Sequence, residues 1–241
     1  MRLALFGLGG MGGLVERRAR EAGHEIAATF TDRDAGRGWK EIAAVLRGSD
    51  AAVDFSAAAA VPDHVRACVE AGVPLVEGTT GWQAQLAEVR GVVERGQGAL
   101  VYGANFSIGV NLFYRVVAAA AAEYARDPAY APFLEEAHHA RKQDAPSGTA
   151  LKLRDLVARA YGGRDLAVAS TRAGHIPGTH RVGFDGPADQ VTLTHEARSR
   201  EGFAAGALLA ARWIALSGRR GVFEFAEVLD AILDAGKEKG R

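Results

Sequence analysis

Hydrophobic and polar positions follow two periods along this 241-residue chain. Short apolar runs next to glycine or turn residues read as buried strands at Leu3–Phe6, His24–Phe30, Ala51–Phe55, Pro74–Val76 and Ala99–Tyr102. Between them the spacing becomes helical. Met11, Leu14, Val15 and Ala19 recur on one face of Met11–Ala22, with Gly23 placed as its C-cap. Trp39–Leu46, Ala58–Ala71 and Gln83–Arg95 read as helices too. Strands alternating with helices of this length predict right-handed βαβ units around a parallel sheet.

The alternation changes after about Asn105. Asn111–Tyr124 reads as an alanine-rich helix, and a loop with Pro128 and Pro132 leads into Phe133–Ala140. A helix follows at Thr149–Ala160, then strands at Leu166–Arg172, His180–Phe184 and Gln190–Ala197 between Gly and Pro turns. Helices at Phe203–Leu216 and Val222–Ala235 end the pattern. The expected fold class is α/β: an N-terminal Rossmann-like parallel-sheet domain and a C-terminal α+β domain with a largely antiparallel sheet. The expected boundaries are 1–106 and 107–213, with helices at about 214–241 packing back on the first domain.

Composition narrows the function classes. The 29 basic side chains balance 29 acidic ones, which argues against a nucleic-acid partner. A single cysteine, Cys68, permits neither an intrachain disulfide nor a Cys-based zinc site and fits a reducing, cytoplasmic setting. Neither a signal-peptide pattern nor a run of roughly 18 apolar residues is present, so no membrane partner is expected.

Gly7-Leu8-Gly9-Gly10-Met11-Gly12 matches G-x-G-x-x-G between a predicted strand and a predicted helix. The first glycine permits a tight turn, the second a close approach to pyrophosphate, and the third close helix–strand packing. The helix N-terminus adds unpaired N–H groups for phosphates. A ribose-binding acid belongs about 20 residues onward, where Asp32 precedes Arg33. The acid favours NAD and the arginine NADP, so the choice stays open. Gly78-Thr79-Thr80-Gly81 and Ala104-Asn105-Phe106-Ser107 follow the fourth and fifth strands, placed to contact a nicotinamide or its ribose. Read alone, each of these loops is equally an ordinary turn.

The densest chemistry lies in Glu135-Glu136-Ala137-His138-His139-Ala140-Arg141-Lys142-Gln143-Asp144-Ala145-Pro146-Ser147-Gly148-Thr149-Ala150. His138 and Lys142, four apart, share one side of a regular backbone. Only five of the 29 basic residues are lysine, so a lysine here favours a proton-transfer role over a structural cation. Asp144-Ala145-Pro146 predicts a stiff turn, and Ser147-Gly148-Thr149 opens a helix whose N–H groups and hydroxyls suit a carboxylate. A capped helix preceded by solvated charges is the bland alternative.

This string resembles the signature of the 4-hydroxy-tetrahydrodipicolinate (dihydrodipicolinate) reductase family of lysine and diaminopimelate synthesis. The resemblance extends to V-D-F-S at Val53–Ser56, E-G-T-T-G-W at Glu77–Trp82 and A-N-F-S-I-G-V-N at Ala104–Asn111. It continues through Gly174–Phe184, His195–Arg200 and Phe203–Trp213. The resemblance implies NADH- or NADPH-dependent reduction of a cyclic dicarboxylate to tetrahydrodipicolinate. It implies His138 and Lys142 as catalytic proton donors, and His139, Ser147, Gly148 and Thr149 as substrate-binding residues. Gly7 to Gly12, Asp32, Arg33, Gly78, Thr79, Thr80 and Ala104, Asn105, Phe106 and Ser107 would hold the cofactor. The C-terminal domain would bind substrate and form a homotetramer. Two departures bear on cofactor preference: the glycine loop is one residue shorter than in many members, and Thr31 can align at the acidic ribose position.

Two rival readings are an amino-acid or amine dehydrogenase, which leaves the Asp144–Thr149 string unexplained, and a dinucleotide-sensing regulator, which would need a nucleic-acid-binding patch. His24 and His64 read as surface residues, and His175, His180 and His195 as packing or hydrogen-bonded histidines. Trp39, Trp82 and Trp213 read as core or interface anchors. No metal-ligand spacing is recognisable.

Overall fold

A computed structural model describes residues 1–238. The chain runs β1 (Arg2–Phe6), α1 (Gly10–Glu21), β2 (Glu25–Phe30), α2 (Trp39–Leu46), β3 (Ala51–Asp54), α3 (Val61–Ala71), β4 (Leu75–Glu77), α4 (Leu86–Arg95) and β5 (Ala99–Tyr102). It continues through α5 (Ile108–Tyr124), β6 (Ala131–His138), α6 (Gly148–Ala160), β7 (Val168–Arg172), β8 (Thr179–Asp185) and β9 (Gln190–Glu196). The last elements are α7 (Glu201–Ser217), β10 (Gly221–Glu224) and α8 (Phe225–Glu238). Two compact units result: Met1–Ser107 with the chain from Glu201 onward, and Ile108–Arg200.

The first unit is built on a parallel six-stranded sheet in the order β10-β5-β4-β3-β1-β2. Its central strands are covered on both faces, which is why Leu3–Phe6 and Ala51–Val53 are continuous apolar runs almost without exposed surface. Edge strand β2 instead alternates, turning Ile26, Ala28 and Phe30 inward. The strand order reverses between β1 and β3, so the loops after these strands border the crevice where such sheets take ligands.

Two expectations are corrected in this unit. Val222–Ala235 is not one helix, because Gly221–Glu224 pairs with β5 as an edge strand before α8 begins. A four-residue apolar run that joins a helical pattern cannot be separated from it by periodicity. Residues 239–241, placed in the returning helices, lie outside the described residues. Helix α7, assigned in part to the second domain, packs on α1 and on strands β3, β4 and β5. Its buried Ala204, Ala207, Ala210 and Ala211 form a small-residue face suited to a sheet, but periodicity does not name the partner.

In the second unit a four-stranded sheet, ordered β7-β6-β8-β9, has β6 parallel to β7 and antiparallel to β8. Helices α5 and α6 cover it, burying Val117, Leu134, Leu153, Val157, Val182 and Phe184 in one core. No described helix is long and apolar enough to cross a membrane.

Candidate active site

Loops at the carboxyl ends of β1, β2, β4 and β5 form the first group of candidate residues. Gly7 has φ near 80°, and a Cβ there would collide with the Phe55 carbonyl. A Cβ on Gly12 would strike the Gly7 carbonyl. These glycines provide the tight turn and the close helix approach expected of the first and third motif positions. Gly9 and Gly10 face open space. No side chain caps α1 and no acid lies in its first turn, so its N-terminal N–H groups point at an uncontested positive end. Gly7, Leu8, Gly9, Gly10, Met11 and Gly12 together fit a dinucleotide pyrophosphate.

After β2, Thr31 and Asp34 cap a short turn reciprocally: Thr31 N–H donates to Asp34 at 2.9 Å, and Arg33 N–H donates to the Thr31 hydroxyl at 3.4 Å. Asp34 also pairs with Arg37 at 3.1 Å. Asp32 and Arg33 are both exposed on this turn. Farther along the sheet edge, Thr79 is buried while Thr80 is exposed. Asn105 Oδ1 accepts from Ser107 N–H at 2.9 Å, bending the chain out of β5. Ala104 is exposed, whereas Phe106 is a buried anchor between Phe55 and Phe225.

The second group is built on β6. Glu136 and His138 are two apart and project from one strand face. The strand ends at His138, so regular spacing does not place Lys142. A turn does, with Lys142 N–H donating to the His139 carbonyl at 3.0 Å. Lys142 Nζ then lies 2.7 Å from Asp144 Oδ1. Ser147 caps α6, its Oγ accepting from Ala150 N–H at 3.2 Å and meeting His180 Nε2 at 3.2 Å. Its hydroxyl is therefore turned into the protein. Gly148 is exposed at the helix start, and the Thr149 hydroxyl reaches the Tyr114 phenol.

Glu136 is the hub. Its carboxylate has no exposed surface, yet Oε1 meets Arg172 Nη2 at 2.6 Å and Ser147 N–H at 3.1 Å. Oε2 lies 2.8 Å from His138 Nδ1 and 3.9 Å from His180 Nε2. Burial alone would raise this carboxyl, but the bonds from Arg172 and Ser147 outweigh it and hold the group at about 2. Burial lowers His138; the Lys142 and Arg172 charges act the same way, while Glu136 opposes them. His180, buried and beside His138, is pushed down to about 4.

Sequence reasoning gave Glu136 and Arg172 no role and read His180 as a packing residue. Sheet register explains the omission: Glu136 faces His180 across β8, and His138 faces Arg172 across β7. Only the Glu-x-His spacing within β6 was locally available. His64, read as a surface residue, lies largely buried with Nδ1 2.6 Å from Asp54. Glu136, His138 and His180 also bring three potential metal-ligand atoms within 4.8 Å of one another. The Arg172 guanidinium on the same carboxylate opposes a further cation, so the trio is better suited to handling a proton.

The chain matches two family models, "Dihydrodipicolinate reductase, N-terminus" over residues 1–106 and "Dihydrodipicolinate reductase, C-terminus" over residues 109–229. It is 31% identical over 240 residues to the 4-hydroxy-tetrahydrodipicolinate reductase of Christiangramia forsetii, covering 95% of this chain and 98% of the relative. The corresponding enzyme of Thiobacillus denitrificans is 36% identical over 268 residues, with the same shares covered. A dipicolinate-bound dihydrodipicolinate reductase from Paenisporosarcina sp. TG-14 shares the fold, with a TM-score of 0.74 at 19% identity over 93% of this chain and 97% of that one. The chain therefore belongs to the 4-hydroxy-tetrahydrodipicolinate (dihydrodipicolinate) reductase family, NAD(P)H-dependent oxidoreductases of lysine and diaminopimelate biosynthesis.

Proposed function

We propose that this chain reduces 4-hydroxy-tetrahydrodipicolinate to tetrahydrodipicolinate with His138 and Lys142 as its proton donors. Exchange of the 4-hydroxyl for hydrogen releases one water and takes up one hydride and one proton. When bound, the reduced nicotinamide supplies the hydride, and Gly7–Gly12 hold its pyrophosphate against the start of α1. Asp32, Arg33, Gly78, Thr79, Thr80 and Ala104–Ser107 complete the cofactor's surroundings, with Thr79 and Phe106 acting through the backbone they anchor.

The observation that carries the proton-donor reading is the fixed Glu136 anion 2.8 Å from His138 Nδ1. With Nδ1 at ion-pair distance from this anion, protonated His138 is left to deliver its proton from Nε2. A dianionic substrate beside His138 favours that protonated form and counters the effect of burial. Lys142, now 2.7 Å from Asp144, can exchange that carboxylate for one on the substrate. His139, Gly148, Thr149 and the α6 N-terminus, which has no acid in its first turn, seat the carboxylates. Ser147 caps this helix and supports the seat from beneath.

His138→Ala and Lys142→Ala should each lower kcat about 10²-fold or more while leaving the Kd for NADH and NADPH unchanged. Parental turnover in either variant would remove that residue from the mechanism. The assay follows loss of reduced nicotinamide with freshly made synthase product, once with each cofactor. Dipicolinate, the ligand named for the Paenisporosarcina structure, should compete with substrate and not with cofactor. We further infer a cytoplasmic enzyme, supported by a composition without a possible intrachain disulfide, and a homotetramer, supported by the family resemblance. Light scattering after gel filtration tests the latter.

A further inference from the structure

Asp54 and Glu77 end neighbouring parallel strands and are register partners in the sheet. Both carboxyl groups are fully buried, although neither belongs to the proton-transfer group on β6. Side-by-side buried carboxyls repel when both are ionised, so a fold that retains them must supply donors or a shared proton. Here the donors come from the loops that follow the two strands. Asp54 Oδ1 accepts from Ser56 N–H at 2.8 Å and from the Thr79 hydroxyl at 3.3 Å. Glu77 Oε1 accepts from Thr79 N–H at 2.6 Å. His64, stacked on Phe6 with ring centroids 4.0 Å apart, reaches Asp54 Oδ2 at 2.6 Å from α3.

Every polar group of Thr79 is thereby engaged. Its N–H meets Glu77, its hydroxyl meets Asp54 and Ser56 N–H, and its carbonyl accepts the Trp82 indole N–H at 2.9 Å. The side chain faces inward, leaving Gly78 and exposed Thr80 as the loop's outward surface. Phe55 packs where a Cβ on Gly78 would stand, and its carbonyl closes on Gly7, tying the loops after β1, β3 and β4 together.

We propose that Asp54, His64 and Glu77 form a buried positioning cluster that fixes the Gly78–Thr80 loop for the nicotinamide end of the cofactor, setting cofactor affinity without touching the reacting atoms. This rests on the reading of Gly78–Thr80 as a cofactor loop. Burial and the neighbouring Asp54 push the Glu77 carboxyl well above its ordinary range, while its Oε1 accepts the Thr79 N–H. An amide oxygen can accept the Thr79 N–H in the same place, whereas an aliphatic side chain cannot.

The test compares Glu77→Leu, Glu77→Gln and His64→Phe, the last keeping an aromatic ring on Phe6 while removing the bond to Asp54. Glu77→Leu should raise the Kd and KM for NADH and NADPH about tenfold with kcat at saturating cofactor within about twofold of the parent. Glu77→Gln should restore binding, and His64→Phe should shift Kd in the same direction by a smaller factor. Should Glu77→Leu fail to fold, the His64→Phe and Glu77→Gln results decide alone. Parental Kd in both Glu77→Leu and His64→Phe, or kcat falling in step with thermal stability and no rescue by glutamine, overturns the proposal. Thr80→Trp tests the loop reading separately. Weaker cofactor binding there beside parental Glu77→Leu rejects only the positioning cluster; parental binding in Thr80→Trp rejects the loop reading and the cluster with it.

Discussion

A carboxylate without exposed surface needs counter-charges inside the protein, and Glu136 finds them in Arg172 and the Ser147 amide. Its negative charge favours protonated His138. Glu136→Gln should lower kcat at neutral pH and move the alkaline limb of the pH–rate profile, where His138 loses the proton it must deliver, to lower pH, because an imidazole without its anion stays protonated only in more acidic solution. An unmoved alkaline limb would separate Glu136 from the proton transfer. His180 makes a different prediction. Its folded value of about 4 lies below the ordinary 6.5, so between these values the unfolded chain holds the extra proton. Stability therefore rises with pH across this window and falls on acidification. At pH 5 the His180 contribution is a loss of about 2 kcal/mol relative to neutral pH, read by urea unfolding. His180→Gln should flatten that slope. Glu136, at about 2 against an ordinary 4.5, extends the loss below pH 4.5 with the same sign.

Helix α6 joins capping to chemistry at one residue. Ser147→Ala removes the bond to Ala150 N–H and the contact with His180, and should cost about 1–2 kcal/mol in chemical denaturation. It should also raise the KM for substrate more than it changes the KM for cofactor, since the carboxylate seat lies at this helix start. The cap was legible from S-G-T alone, as were the parallel strands, because a strand covered on both faces leaves a continuous apolar run. β10 was not legible: its four residues gain strand character from pairing with β5, more than a hundred positions earlier. The same limit hid Arg172 and His180. Each meets β6 through sheet register, which one strand's sequence does not specify, while His138, Lys142 and the glycine loop carry local spacing that can be read directly. His64 was misread because a histidine beside a proline and an aspartate on a short helix looks solvated until Asp54 is seen beneath it.

The two units hold separate cores and separate candidate binding groups. Hydrogen exchange should consequently separate the two ligands by region: NADH should protect the loops around Gly7–Gly12 and Gly78–Thr80, and dipicolinate the segment from Glu136 to Ala150. Protection of the Glu136–Ala150 segment by NADH alone, with none at the glycine loop, would contradict both assignments. The topology also has a consequence for how the protein is made. β5 and β10 are neighbours in one sheet, but the whole of Ile108–Arg200 lies between them in the chain. As the polypeptide emerges from the ribosome, the internal unit has all its residues available before the outer sheet can gain its final edge strand. The nascent Met1–Ser107 portion must wait, with the surface that α7 will cover open to chaperones or to aggregation until translation passes Ser217, and its sheet without the last edge strand until translation passes Glu224.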